Sequence, residues 1–168
     1  MSPSKRSIIH LFAFLAIGAG TLWTTAYSQV FGTASNTITV IVQPITVLQL
    51  SAGIVNLTIS GSNAIAGQDQ MTTTDQTSSL SWGTNSSLQK ITASTSLATP
   101  LYTLELVAVN PTSGTAASQM TLSTTAADLV LNIGRTSGSC ALLYTGIALA
   151  SQGTGSDAHT ITFTVQAQ

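Results

Sequence analysis

"LYTLELVAV" (Leu101–Val109) is the stretch on which the fold turns. Tyr102, Leu104, Leu106 and Ala108 share one parity, and Thr103, Glu105, Val107 and Val109 take the other. Successive strand side chains point to opposite faces, so this run sets an apolar row against a core and a mixed row outside it. Pro100 precedes it. "NPTSGT" (Asn110–Thr115) follows, with the turn chemistry of Asn-Pro and Ser-Gly pairs.

The same alternation recurs in both directions along the chain. Upstream, "TITVIV" (Thr37–Val42) alternates until Pro44, which cannot donate to a ladder and marks an edge, a kink or a change of sheet. "ITVLQL" (Ile45–Leu50) and "IVNLTIS" (Ile54–Ser60) read as a hairpin or a bent strand pair, with Val55, Leu57 and Ile59 on one face. The polar stretch Gly61–Ser79 reads as a loop holding one short strand around Met71. "LSWG" (Leu80–Gly83) comes next, then the turn residues of "GTNSS". Downstream, "LQKITAS" (Leu88–Ser94), "QMTLST" (Gln119–Thr124), "ADLVLNIG" (Ala127–Gly134) and "CALLYTGIALA" (Cys140–Ala150) are strands, with "TSGS" (Thr136–Ser139) as a turn and a bulge expected at Gly146. The final run, "HTITFTVQAQ" (His159–Gln168), puts Ile161, Phe163 and Val165 on one face. Its expected neighbour is Cys140–Leu149, across the loop "SQGTGSDA" (Ser151–Ala158). About eight to ten short strands separated by turns predict an all-β chain, an antiparallel β-sandwich with Greek-key or jelly-roll-like connections.

The N-terminus carries a different pattern. Lys5 and Arg6 precede an apolar run from Ile8 to Trp23, and Ala26-Tyr27-Ser28 sets small residues at the −3 and −1 positions of a cleavage site. The expected organisation is a signal peptide over 1–28, cut before Gln29, and one secreted domain over 29–168. No second apolar run of spanning length follows, so no membrane attachment is expected after cleavage. The expected location is secreted, at the cell surface or extracellular, with the periplasm as the other exported compartment.

Residues 29–168 keep two strong bases, Lys90 and Arg135, against five acids, Asp69, Asp75, Glu105, Asp128 and Asp157, a formal charge of −3. Without a basic patch, phosphate-backbone binding has no electrostatic source, so nucleic acid is not an expected partner. Only 5% of the chain is charged, against about 25% in a typical domain. Ser and Thr fill the polar positions instead. Thr is β-branched as well as polar, so it suits the exposed face of a strand, and the composition reads as folded β-structure rather than disorder. A weakly charged surface has little mutual repulsion and favours association.

Little in the chain points to catalysis or a cofactor. Cys140 is the single cysteine and cannot close an intramolecular disulfide; it reads as a buried thiol or an intermolecular bridge. Asp157 and His159 share a parity, yet no serine is singled out as a nucleophile beside them, and His159 reads as a strand-start residue. Asp69 and Asp75 flank "QMTTT" as a candidate calcium loop, without D-x-D-x-D-G spacing; solvated loop acids are the plainer reading. Trp82, Tyr102 and Tyr144 alternate with leucines, which assigns them to the core rather than to a sugar-binding platform. The chain is expected to be non-enzymatic and free of cofactor.

In general character it resembles the exported sandwich subunits of bacterial surface fibres and coats, a likeness of class and texture that transfers no functional residue. The leading expectation is a structural subunit whose partners are copies of itself or other surface proteins. The candidate interface is the uncharged face of Thr160, Thr162 and Thr164, together with Ile38 and Val40 near the start of the domain. The alternative is an extracellular module that binds carbohydrate or another surface ligand.

Overall fold

A computed structural model describes residues 32–51 and 53–168. The expected signal peptide and its cleavage site lie outside the described residues. The chain divides into two units, Met1–Val40 and Ile41–Gln168. The described part of the first, residues 32–40, has no regular secondary structure and is exposed. "TITVIV" is therefore not a strand in this structure.

The second unit is nearly all β, in two antiparallel sheets. Nine strands are described: β1 (Thr46–Leu50), β2 (Gln70–Thr84), β3 (Gln89–Thr95), β4 (Thr103–Val109), β5 (Thr115–Ala116), β6 (Met120–Thr121), β7 (Ala127–Ile133), β8 (Thr136–Leu149) and β9 (Ile161–Ala167). One sheet has the order β1-β2-β8-β4-β6 and the other β5-β7-β3-β9. Their inner faces meet in one core. Leu80 and Trp82 of β2, Leu106 and Ala108 of β4, and Leu142 and Tyr144 of β8 pack with Ile91 and Ala93 of β3 and Leu129 and Ile133 of β7. The architecture is sandwich-like, and the face expected for Tyr102–Ala108 is the inner one, with burial deepest at Leu106.

Several local expectations are corrected. The polar stretch before Leu80 is loop only as far as Asp69, and the short strand expected around Met71 is the start of a much longer one, since Gln70–Thr84 is a single 15-residue strand. Its Thr-rich first half pairs along β8 from Leu149 to Tyr144, and its second half continues down β8 to Thr136. A bulge separates the halves, between Asp75 and Ser78, where the Asp75 carboxylate accepts the N–H and the hydroxyl of Thr77 at 3.0 and 2.8 Å. An Asp bonding the backbone two residues on is a turn device, and here it kinks a strand. Gly146 is not the bulge; it stays in register with Thr73 on one side and Leu104 on the other. Thr136–Ser139 is the first part of β8, because Gly138 lies opposite Trp82 and leaves room for the indole. Ile54–Ser60 keeps the expected alternation, with Val55, Leu57 and Ile59 half-buried, but forms no ladder.

The final strand is also displaced from its expected neighbour. β8 has β2 on one edge and β4 on the other, so neither edge is free. β9 crosses to the second sheet and pairs with β3 from Thr95↔Ile161 to Gln89↔Ala167. Its far end is held by Gln168, which donates its N–H to the Leu88 carbonyl at 2.8 Å, accepts the backbone N–H of Asn132 on its side-chain oxygen at 2.7 Å, and donates its side-chain amide to the Asn132 Oδ1 at 3.1 Å.

Candidate functional site

β9 is an edge strand, and its register determines which backbone groups are left over. The N–H of Ser96 donates to the Thr160 carbonyl and that of Gln168 to the Leu88 carbonyl. Hydrogen-bonded pairs alternate along an antiparallel ladder, so Thr160, Thr162, Thr164, Gln166 and Gln168 turn their backbone groups toward β3. Ile161, Phe163 and Val165 turn theirs to the open edge. Their side chains are half-buried against the core, while those of Thr160, Thr162 and Thr164 are exposed. The predicted face assignment and the exposed edge thus occur on the same strand.

A cleft of about 820 Å³ opens beside this edge. Ile161 and Phe163 form one wall, and Val55, Leu57 and Ile59 of the unladdered segment face them. Tyr144, Gly146 and Ala148 of β8 line it as well, with Leu104 at the start of β4 and Tyr102 just before it. Gly146 matters because a Cβ there would already touch Leu57, at 3.4 Å from its Cδ1. The loop Gly153–Asp157 closes the remaining side, and Gly155 lies so near Leu101 and Tyr102 that a Cβ would come within 2.8 Å of the Leu101 Cδ2.

The polar groups around the cleft are largely committed to the protein. Asp157 accepts the backbone N–H of Tyr102 at 2.8 Å, and the Tyr102 hydroxyl donates to the Gly153 carbonyl at 3.1 Å. The Nδ1 of His159 meets the Thr95 hydroxyl at 3.0 Å. Asp157 is thus a loop anchor and His159 a strand-start residue bonded to the neighbouring strand. Burial pushes the Cys140 thiol up to about 11, slightly offset by its Leu80 backbone hydrogen bond, which keeps it a neutral thiol at physiological pH. Burial, then the Asp75 charge, then Cys140, raise the Tyr144 phenol to about 12.

Asp69 and Asp75 are not brought together. With β2 extended between them they stand about 20 Å apart. Asp69 accepts the N–H and hydroxyl of Ser151, both at 3.0 Å, which fastens the turn after β8, and Asp75 serves the bulge. Among the described residues, no group of three or more His, Cys, Asp or Glu is gathered as a metal site.

Ile38 and Val40 are 77% and 81% exposed. The chain becomes fixed just after them. The side-chain amide of Asn85 donates to the Gln43 carbonyl, and its oxygen accepts the N–H of Ile45, at 2.8 and 2.7 Å. Sequence reasoning did not single out this clamp, which flanks Pro44 and falls in a stretch read only as turn chemistry. It also assigned Tyr102 and Leu104 wholly to the core. They share its parity, but burial declines toward the start of β4, where the cleft begins.

No described helix is long and apolar enough to cross a membrane. Compared with known proteins, the chain matches no family model, no curated protein and no solved structure.

Proposed function

We propose that this protein is an exported, non-enzymatic structural subunit of a cell-surface or extracellular assembly, joined through β-strand contacts, with residues 1–28 as its export signal. The open edge of β9 carries the reading. Among the described residues, no partner pairs the outward N–H and C=O groups of Ile161, Phe163 and Val165, along a seven-residue strand that has no charge and no proline. Edges in soluble proteins are commonly guarded by Lys, Pro, bulges or inward charge, and an unguarded edge is a template for another chain. The low overall charge removes the repulsion that would oppose such pairing. Greek-key or jelly-roll-like connection is the finer fold reading that goes with this one, since most consecutive long strands change sheet.

The cleft supports a second reading, a module for carbohydrate or another surface ligand, because its size is that of small-molecule sites. It ranks lower. Tyr102, Asp157 and His159, the groups that would recognise hydroxyls, already have protein partners.

Light scattering and electron microscopy of the purified exported protein test the leading reading. Concentration-dependent oligomers are expected without any ligand, and Thr162→Lys is expected to leave the monomer folded while preventing them. A protein that stays monomeric at high concentration would remove the assembly reading. N-terminal sequencing of the same material should begin at Gln29.

A further inference from the structure

The molecule has an edge that lacks a strand and a strand that lacks an edge. The first is the outer side of β9 with the cleft beside it. The second is Thr37–Val42, which alternates like a strand yet joins no ladder among the described residues. We propose that the cleft receives Thr37–Val42 of a second copy of this chain, which pairs along β9 and extends its sheet. This pairing rests on the assembly reading and gives it a donor and an acceptor.

Four observations fit the segment to the site. The first is parity. Thr37-Ile38-Thr39 repeats Thr160-Ile161-Thr162, and Val42 matches Val165 in the same frame. A strand beside β9 with the same pleat would turn Ile38, Val40 and Val42 inward toward Val55, Leu57 and Ile59, and Thr37 and Thr39 outward beside the threonine ladder. The second is length. Six extended residues span about 20 Å, close to the length of the seven-residue β9. The third is exposure: Ile38, Val40, Ile41 and Val42 are each at least 69% exposed, an apolar stretch, broken only by Thr39, that water disfavours. The fourth is charge. Neither Thr37–Val42 nor Ile161–Ala167 contains an ionisable side chain, so pairing them desolvates no charge.

The far wall of the cleft needs the partner as much as β9 does. Ile54–Ile59 is extended, with alternate residues half-buried, but no described backbone bond joins it to a neighbouring strand. Backbone groups flanking an apolar slot are costly to leave unpaired once water is displaced, and an inserted strand supplies main-chain donors and acceptors at both edges. The Asn85 clamp fixes Gln43 and Ile45, so the donor segment leaves each subunit from a defined point.

Two single variants and their mixture form the test. Val40→Lys disables the donor, because it carries an unpaired charge into the slot, and leaves β9 intact. Ile161→Pro removes an outward N–H at the first residue of β9, where proline is tolerated, and leaves the donor intact. Both should melt cooperatively. In sedimentation velocity the wild type should form a ladder of oligomers, and each variant alone should need at least about tenfold more protein to associate. Mixed, the two should give a single one-to-one heterodimer that grows no further, since one free donor meets one free acceptor. In a second measurement, a synthetic peptide of residues 35–43 should bind the Val40→Lys protein, and the same peptide with its own Val40→Lys change should not. That arm stands even if Ile161→Pro fails to fold.

Assembly that survives Val40→Lys but is lost in Thr162→Lys would overturn the donor assignment and leave the assembly reading standing. A wild type that is monomeric and binds no peptide would overturn both. A monomer whose melting temperature falls with Val40→Lys would mean that the segment closes on its own chain, and that too overturns the proposal.

Discussion

Replacing Gly138 by alanine tests the core at its tightest approach. Gly138 stands directly across the ladder from Trp82, and a Cβ built on it would lie 2.7 Å from the indole Cε2 and Cζ2 and 2.8 Å from Nε1. Carbon atoms attract at about 3.5–4.0 Å and repel steeply inside that range. Trp82 is only 4% exposed, so the indole has no room to swing outward. Overpacking of this kind costs about 1–3 kcal/mol. The backbone at Gly138 is not left-handed, so alanine recovers about 0.4–1 kcal/mol by restricting the unfolded chain. The net loss is about 1–2 kcal/mol, a fall of roughly 3–10 °C in melting temperature for a domain of this size. Trp82 Nε1 is buried without a hydrogen-bond partner, so the change should register as a shift in indole packing and emission rather than as a broken bond. A double-mutant cycle supplies the control. In a Trp82→Leu background, Gly138→Ala should be neutral or stabilising, a coupling of about 1 kcal/mol or more. A Gly138→Ala protein that melts at or above the wild-type temperature would refute this packing of glycine against indole.

Other expectations follow from burial and edges. Leu142→Asp should abolish folding, because Leu142 is fully buried and an unpaired buried charge costs several kcal/mol against a total stability of about 5–15 kcal/mol. Leu104→Asp should still fold with a lowered melting temperature, since Leu104 is half-buried at the cleft; equal loss in both would place Leu104 in a closed core. Stability should fall with alkali. The Cys140 thiol is raised from 9.0 to about 11 on folding, so its contribution is complete below pH 9 and is lost as pH rises to about 11, by roughly 2 kcal/mol. Tyr144 acts in the same direction from pH 10 to about 12. A Cys140→Ala variant with an equally steep decline between pH 9 and 11, measured by urea denaturation, would exclude the thiol as the cause. Trypsin should cut native protein after the exposed Arg135, between β7 and β8, before Lys90, which sits in β3 with its ammonium 2.8 Å from Asp128; mass spectrometry of the first fragments decides this.

What the sequence made legible was parity, and what it withheld was partnership. β4 and β9 were readable because each sets one face toward the core, and Leu106 and Phe163 fall on the predicted faces; in β7 Leu129 and Ile133 do so too, but Val130, of the other parity, is also fully buried where the ladder with β3 shifts register. The extent of the first half of β2 was hidden because, apart from Met71, its residues are Thr, Gln and Asp, which read as loop until β8 provides a ladder for them. Thr136–Ser139 resembles a turn in composition, yet Gly138 is there to clear Trp82. The pairing of β9 could not be read locally. It depends on both edges of β8 being occupied by strands from elsewhere in the chain. The cleft was unreadable for a similar reason. Leu104 and Leu106 have the same parity and chemistry, and only their places along β4, one beside the cleft and the other inside the core, separate them.

The edges of the two sheets are unequal, and on the proposed pairing that inequality would give assembly a direction. At one side the edge strands are β5 and β6, of two residues each. Very short edge strands are themselves a guard against pairing. At the other side are β1 and β9, which touch each other and have five and seven residues. On the proposed pairing each subunit then offers one acceptor, the β9 edge with its cleft, and one donor, the segment that leaves through the Asn85 clamp. A contact between two different surfaces is heterologous, so it closes into a ring or continues as an open filament; it does not stop at a symmetric dimer. The low charge acquires a physical meaning in that setting. Thr supplies the β propensity that Lys or Glu would lack on an exposed strand and adds no repulsion along a stack of identical subunits. On the proposed pairing, the same use of Thr in place of charge that suits exposed strands leaves β9, the longer of these edges, open to the next copy.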